Sequence, residues 1–241
     1  MIVPYLGEKS KFSNFIKPNI PSDIKTYVEP FGGMFGIFFS LDFSKFRNVE
    51  FVYNDVNYLN YNLFNFLRYN NDFISKIEDI VVDKDKYLKS LKSITLNKDN
   101  LQLAIDWLIV LCCSSPYEIG KDSWRSDSEF EIFKLKFKAY KYHLDQVDNI
   151  LNLDYKEVIE KYDSESTFFY IDPPYMGKER YYINHNFTEN SHKELANILN
   201  NIKGRFLLSY YYFNGLEKLY ENCRFDSKMT IMGTELIIMN F

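Results

Sequence analysis

The segment Tyr170-Ile171-Asp172-Pro173-Pro174-Tyr175 holds the most specific chemistry in the chain. An apolar run ends in a carboxylate, two prolines follow, and an aromatic closes the motif. Proline has no N–H to donate, so the chain must leave a sheet here as a stiff turn. Such a turn presents the Asp172 carboxylate and the Pro173 carbonyl as neighbouring acceptors. An exocyclic amino group on an aromatic ring carries two hydrogens and a lone pair delocalised into that ring. Two acceptors bind both hydrogens and favour a pyramidal nitrogen, which frees the lone pair for attack. Tyr175 offers a face on which a planar base stacks. The bland alternative is a solvent-facing aspartate on an ordinary Pro-Pro turn.

Two further features belong to the same kind of site. Glu29-Pro30-Phe31-Gly32-Gly33-Met34-Phe35-Gly36 is a glycine turn between an expected strand and an expected helix. Glycines there let the backbone turn sharply and pass close to a ligand. By itself this signal is weak, because purely structural glycine turns look the same. Asp55 lies 19 residues beyond Gly36, at the tip of the next expected strand. Nucleotide-type folds place a carboxylate there to accept hydrogen bonds from ribose hydroxyls. A helix N-cap is the alternative reading of an isolated Asp at that place.

The surrounding pattern predicts an α/β scaffold. Residues 26–29, 49–53, 167–171, 205–210 and 235–241 are rich in β-branched and aromatic side chains and read as strands. Leu59, Leu63 and Leu67 fall on one helical face, and residues 36–41 suit a short helix. Ser191 and Glu194 have capping-box spacing ahead of the stripe Leu195, Ile198, Leu199 and Ile202. Strand and helix thus alternate at both ends of the chain, as in a sheet with crossover helices.

The middle reads as helical. Leu101, Ile105, Leu108, Ile109 and Cys112 make one stripe. Phe133, Phe137, Tyr140, Leu144, Val147 and Leu151 make another, with a polar loop or hairpin over 114–129 between them. We therefore expect residues 61–161 to be a mainly helical insert between two halves of an α/β domain, 1–60 and 162–241. Lys134, Lys138 and Lys141 share one helical face, and Lys84, Lys86, Lys89 and Lys92 form a second group. These are either a solvated surface or contacts to phosphates.

At 241 residues, with 46% hydrophobic and 26% charged residues, the chain can bury a full core and does not look disordered. The near-apolar stretch 103–113 is too short for a bilayer and contains Asp106. Residues 1–11 lack a signal-peptide core, so a cytoplasmic location is expected. Three cysteines and three histidines, none at ligand spacing, predict neither a disulfide framework nor a metal site. Cys112 and Cys113 lie on an apolar stripe and read as core, not as the thiolate that attacks a ring carbon of cytosine. A net charge of −4 argues against nucleic-acid binding by bulk positive charge, but not against a local basic groove.

Asp172-Pro173-Pro174-Tyr175 resembles the catalytic motif of S-adenosylmethionine-dependent amino-methyltransferases, and Pro30 to Gly36 looks like their cofactor loop. Tyr5-Leu6-Gly7-Glu8-Lys9 resembles the Trp-x-Gly-Gly-Lys opening of the Dam-like N6-adenine DNA methyltransferases. His192-x-x-Leu195 and the closing Glu235-Leu236-Ile237-Ile238-Met239-Asn240-Phe241 look like that family too. The resemblance covers residues 1–60 and about 165–241, with a target-recognition domain between cofactor loop and catalytic motif. It implies a Rossmann-like methyltransferase sheet, S-adenosylmethionine as cofactor, no metal, and double-stranded DNA as partner to a monomer. A cognate restriction endonuclease is left open.

By the same resemblance, Tyr5, Lys9, Pro30, Phe31, Gly32, Gly33, Gly36, Asp55 and Asp172 would hold the cofactor. Asp172, Pro173, Pro174 and Tyr175 would serve catalysis, and the 177–186 segment with Tyr181 and Tyr182 would close over the base or be a polar loop. Lys134, Lys138, Lys141 and Arg125 are the expected DNA contacts. Tyr5 stands where the family has Trp, and Glu8 where it has Gly. Residues 114–127 do not match the family's Asn-Gly-x-x-Arg-x-Asn hairpin, so a GATC target is not implied. Alternatives are the 4-amino group of cytosine, RNA, a protein amide, or a non-catalytic DNA-recognition subunit. Asp at the head of the tetrapeptide favours adenine, and intact Asp172, Asp55 and Lys9 favour an enzyme.

Overall fold

Short aromatic and β-branched runs bounded by turn residues become the strands of one sheet. The computed structural model describes residues 9, 12–95, 100–115, 119–177, 187–230 and 233–241. The strands are β1 (Thr26–Glu29), β2 (Glu50–Asn54), β3 (Asn149–Leu151), β4 (Thr167–Ile171), β5 (Arg205–Tyr211), β6 (Arg224–Thr230) and β7 (Gly233–Met239). Their order across the sheet is β3-β2-β1-β4-β5-β7-β6. The first five run parallel, and β7 lies antiparallel between β5 and β6.

The described α-helices are α1 (Ser13–Ile16), α2 (Tyr58–Tyr69), α3 (Phe73–Ile77), α4 (Lys84–Ser93), α5 (Asn100–Cys113), α6 (Ser128–Leu144), α7 (Tyr155–Tyr162), α8 (Glu189–Leu199) and α9 (Leu216–Leu219). Parallel neighbours need crossovers: α2 to α6 lie on the path from β2 to β3 and α8 on that from β4 to β5, whereas the path from β1 to β2 carries two 3₁₀ turns, Phe38–Ser40 and Phe43–Lys45. Residues 36–41, expected as a short helix, contain the 3₁₀ turn Phe38–Ser40. Alternation along each strand sends side chains to two buried faces. Tyr27, Phe51, Tyr53, Phe168 and Leu207 share one cluster with Leu63, Trp107, Leu108 and Phe133 from α2, α5 and α6. Val28, Val52, Phe169, Phe206 and Leu208 share the other with Val158, Ile159, Leu195 and Leu199 from α7 and α8. The result is the α/β, Rossmann-like architecture expected from the sequence.

Apolar residues of 61–161 join the two clusters of the sheet, and β3 within that range pairs with β2. Two expectations are corrected. The stripe running through Val147 and Leu151 is not one helix. α6 stops at Leu144, and Leu151 ends β3, whose pairing with β2 outweighs the helical spacing. α8 begins earlier than the Ser191–Glu194 pattern suggested. Thr188 is its N-cap, and the Thr188 N–H donates to Ser191 Oγ at 3.0 Å, so Ser191 closes the box from the third helical position.

α5 is buried around its whole circumference from Leu103 to Cys113. Its single carboxylate, Asp106, is accommodated because Ser90 Oγ (2.7 Å) and Ser93 Oγ from α4 both donate to it. Cys112 and Cys113 are buried in the same cluster. Burial pushes both thiols up, Cys113 to about 12, so neither is a thiolate near neutral pH.

Candidate active site

The strand order reverses between β1 and β4: β2 and β3 lie on one side, β5 onward on the other. Loops leaving adjacent parallel strands in opposite directions open a crevice beyond their C-terminal ends. Glu29 ends β1 there, and the turn through Pro30 and Phe31 to Gly36 leaves from it. Asp172 follows Ile171 at the end of β4, and Asp55 follows Asn54 at the end of β2. Motifs more than a hundred residues apart in sequence thus meet at one edge of the sheet.

The glycine turn is held by its neighbours on β2. The Gly32 N–H donates to Asn54 O at 2.7 Å, and Asn54 Nδ2 donates to Pro30 O at 2.9 Å. The Tyr53 hydroxyl donates to Gly33 O at 2.9 Å. Gly33 has φ +49, a conformation other residues enter with strain, and its N–H donates to Asp55 Oδ2 at 2.8 Å. Asp55 Oδ1 accepts the Asn57 N–H at 2.8 Å, while Asn60 Nδ2 donates to Oδ2 at 3.0 Å. Asp55 therefore ties the turn to α2, and Asn57 caps that helix through its own side chain. Burial raises the Asp55 carboxyl, and these three donors pull it back down. The Phe31 ring packs on Tyr155 at 5.0 Å and edge-on to Phe187 at 5.7 Å.

A polar row crosses the top of the sheet face that holds Tyr27 and Leu207. Strand alternation points Glu29, Asp172, Ser209 and Glu235 to that same side, from β1, the β4 turn, β5 and β7. Lys9 lies across them, buried. Its Nζ is 2.9 Å from Asp172 Oδ1 and 3.8 Å from Glu235 Oε1. Glu235 Oε1 also accepts the Tyr175 hydroxyl and the Ser209 hydroxyl, each at 2.7 Å. The Tyr27 hydroxyl donates to Glu29 Oε1 at 2.6 Å.

Burial dominates the titration of this row. It pushes the Asp172 carboxyl up to about 6, against the downward pull of Lys9 and with the upward push of Glu235. It also holds Glu29 well above the ordinary carboxylate range. For Lys9, burial works against the charge, but Asp172 and Glu235 outweigh it and the ammonium is raised overall. Asp172 is thus pushed toward neutral pH while it is paired with a cation.

Tyr175 is buried, with Lys9 Nζ 4.7 Å from its ring centroid and the rings of Tyr210 and Tyr211 at 5.3 and 4.6 Å. Stacking of a base on Tyr175 thus requires the base to take the place of that ammonium or of a neighbouring ring. Aromatic contacts continue from Tyr210 to His192 (5.7 Å) and from His192 to Phe187 (4.8 Å), which reaches Phe31 of the glycine turn. The Tyr210 hydroxyl and His192 Nδ1 are hydrogen-bonded.

The expected residues are distributed unevenly. Lys9, Pro30, Phe31, Gly32, Gly33, Gly36, Asp55 and Asp172 to Tyr175 line or support the crevice. Tyr5, and Tyr181 and Tyr182 of the segment after Gly177, lie outside the described residues. The lysine group on α6 splits. Lys134 Nζ donates to Glu78 O (3.1 Å) and Ile80 O (3.2 Å), closing the end of the α3 region. Lys141 Nζ donates to Arg68 O at 2.6 Å, near the C-terminus of α2. α2 starts beside Asp55, and Arg68 lies ten residues along it from Tyr58, so the carbonyl that Lys141 meets is about 15 Å along that helix from its start. Lys134 and Lys141 are thus occupied with helix-end carbonyls, whereas Lys138 and Arg125 are exposed.

Glu235, Ser209 and Asn54 were given no role by the motifs. The available signal was a polar residue at a core-facing parity: Glu235 precedes Ile237 and Met239 in step, and Ser209 follows Leu207. Asn54 ends an otherwise apolar strand.

Comparison with known proteins agrees with this geometry. No curated protein matches the chain. A family model described as D12 class N6 adenine-specific DNA methyltransferase matches residues 5–233. That span contains Lys9, the glycine turn, Asp55 and the Asp172 to Tyr175 turn. Among the described residues, no helix is long and apolar enough to cross a membrane. The chain belongs to the D12 class N6 adenine-specific DNA methyltransferase family, whose members methylate adenine in DNA.

Proposed function

We propose that this chain uses S-adenosylmethionine to methylate the N6 amino group of adenine in double-stranded DNA, with Asp172 as the acceptor that activates that group. The observation that carries the reading is the half-buried Asp172 at the switch-point crevice, on a Pro-Pro turn and 2.9 Å from Lys9. The crevice fits the cofactor. Asp55 and Asp172 offer carboxylates to a ribose diol and to a cationic centre, and Phe31 offers a ring edge beside them. When bound, S-adenosylmethionine supplies an electrophilic methyl group on a sulfonium.

Lys9 engages Asp172 Oδ1, so Oδ2 and the Pro173 carbonyl accept the two amino hydrogens of the adenine. Drawn toward two acceptors, the nitrogen localises its lone pair. The proton lost from N6 on methylation is taken up at Asp172, whose value near 6 lets it return the proton to solvent. The turn from Pro30 to Gly36 positions and excludes water; alignment and dry electrostatics supply most of the rate. The adenine must leave the stack to reach Asp172, at a cost of a few kcal/mol. Contact with Tyr175 returns about 1–3 kcal/mol. A DNA substrate favours the cytoplasmic location expected above.

Transfer of tritiated methyl from S-adenosylmethionine to unmethylated duplex DNA, followed by sequencing that maps the modified bases, tests the proposal. Label on adenine N6 supports it. Label on cytosine or only on RNA, or binding without label, rejects it in favour of the corresponding alternative.

DNA contact through α6 falls to Lys138, with Arg125 ahead of the helix. Lys138→Glu is expected to weaken binding and to lower the slope of log K against log salt by about 0.9 per lost phosphate contact. Lys141→Ala, by contrast, is expected to lower the melting temperature and leave the salt slope unchanged, since its ammonium serves Arg68 O and Asp145. Salt titrations of DNA binding separate the two.

A further inference from the structure

We infer that Glu235 is a positioning residue for methyl transfer: through Oε1 it holds the Tyr175 hydroxyl and shares the Lys9 ammonium, which keeps Asp172 a competent acceptor. This rests on the reading of Asp172 above. Glu235 lies beyond the matched residues 5–233. It is fully buried at the end of β7 that adjoins the C-terminal end of β5, paired in register with Tyr211.

Three groups converge on one oxygen. The Tyr175 and Ser209 hydroxyls each donate to Glu235 Oε1 at 2.7 Å, and Lys9 Nζ stands 3.8 Å away. Glu235 Oε2 is buried with no hydrogen-bond partner among the described residues. Burying a carboxylate is costly unless it is paired and hydrogen-bonded, and here only one of its oxygens is satisfied. A purely structural role would be served as well by an amide. What the carboxylate adds is charge beside Lys9.

That charge matters to Asp172. An ammonium paired with one carboxylate alone would stabilise its ionised form and make it a poor proton acceptor. A second carboxylate on the same ammonium offsets part of that effect. The titratable groups facing Asp172 are Lys9 from the N-terminal segment, Glu29 at the end of β1, Tyr170 on β4, Tyr175 in the turn, Tyr211 on β5 and Glu235 on β7. Glu235 pushes Asp172 upward, while Lys9 pulls it down.

Glu235→Gln is the direct test. Its Oε1 can keep both hydroxyl donors, and its nitrogen falls where Oε2 makes no bond, so the change removes charge and little else. The expected result is that the acid limb of kcat/KM against pH moves down by about one pH unit, with a plateau a few-fold lower. An acid limb that stays in place overturns the inference. If Glu235→Gln does not fold, Ser209→Ala is read instead. It removes one of the donors to the Glu235 carboxylate, so the acid limb moves; an unmoved acid limb overturns the inference. Asp172→Asn serves as reference: if it remains active, the acceptor reading itself fails, whereas an inactive Asp172→Asn with an unmoved Glu235→Gln profile refutes only the role of Glu235.

Discussion

Asp172→Asn is expected to lower methyl transfer to DNA by about three orders of magnitude or more, without loss of the fold. Asparagine keeps the shape but presents an N–H where the amino group needs an acceptor, and it cannot take up the departing proton. Stability should not fall with activity. The Asp172 carboxyl is raised from an ordinary value of 3.8 to about 6, so the folded state holds that proton more tightly than the unfolded one. Stability therefore declines as pH rises through that window, and the ionised group costs on the order of 3 kcal/mol at neutral pH. The amide removes this cost, while Lys9 loses one partner and keeps Glu235. A melting temperature equal to or above that of the parent, together with tritium counts at background, is the expected pair of results. In the parent enzyme the same raised carboxyl predicts an acid limb of kcat/KM near pH 6. Measurable turnover by Asp172→Asn would sink the mechanism.

Gly32→Ala should be strongly damaging for a single added methyl group. A Cβ at Gly32 would lie 2.3 Å from Tyr53 Cε2, 2.6 Å from Tyr53 Cδ2 and 2.9 Å from the Asn54 carbonyl. Tyr53 cannot swing aside, because it is fully buried and its hydroxyl is donated to Gly33 O. The Asn54 carbonyl cannot retreat without losing the Gly32 N–H. The turn must then move away from β2 and break the Gly33–Asp55 contact. Overpacking of this kind costs about 3 kcal/mol or more, or a drop of about 6–12 °C in Tm for a domain of this size. Binding of S-adenosylmethionine, read by calorimetry, should be lost with it. Gly120→Ala is the control. A Cβ there meets nothing within 4 Å, and melting should be unchanged. Equal melting of the two variants would mean that the turn is not held as described.

Much of the scaffold was legible because its signals are local. β1 and β4 fall on 26–29 and 167–171 as expected, since short apolar runs ending in Glu29 or Asp172 have little else to become. β3 and β6 were not found. β3 is a half-buried strand of three residues, and β6 mixes Arg224, Asp226 and Lys228 into its run, as an edge strand does to discourage further pairing. The helical stripe on α5 was visible, but the partners that make Asp106 tolerable there are serines of another helix.

The site divides along the same line. Read by itself, the sequence offered the chemical groups, since a carboxylate on a Pro-Pro turn, a glycine turn and a strand-tip Asp55 are each set by a few adjacent residues; the resemblance of those motifs to the amino-methyltransferases supplied the reaction class. Only the tertiary structure decided which groups share a pocket. It set Lys9 between Asp172 and Glu235, joined Asp55 to Gly33, and drew Lys134 and Lys141 away to helix-end carbonyls while leaving Lys138 exposed. Periodicity along the chain records which face a side chain takes. The partner it meets across a hundred residues is set by how strands order and helices cross, through the burial of apolar surface that no local window contains.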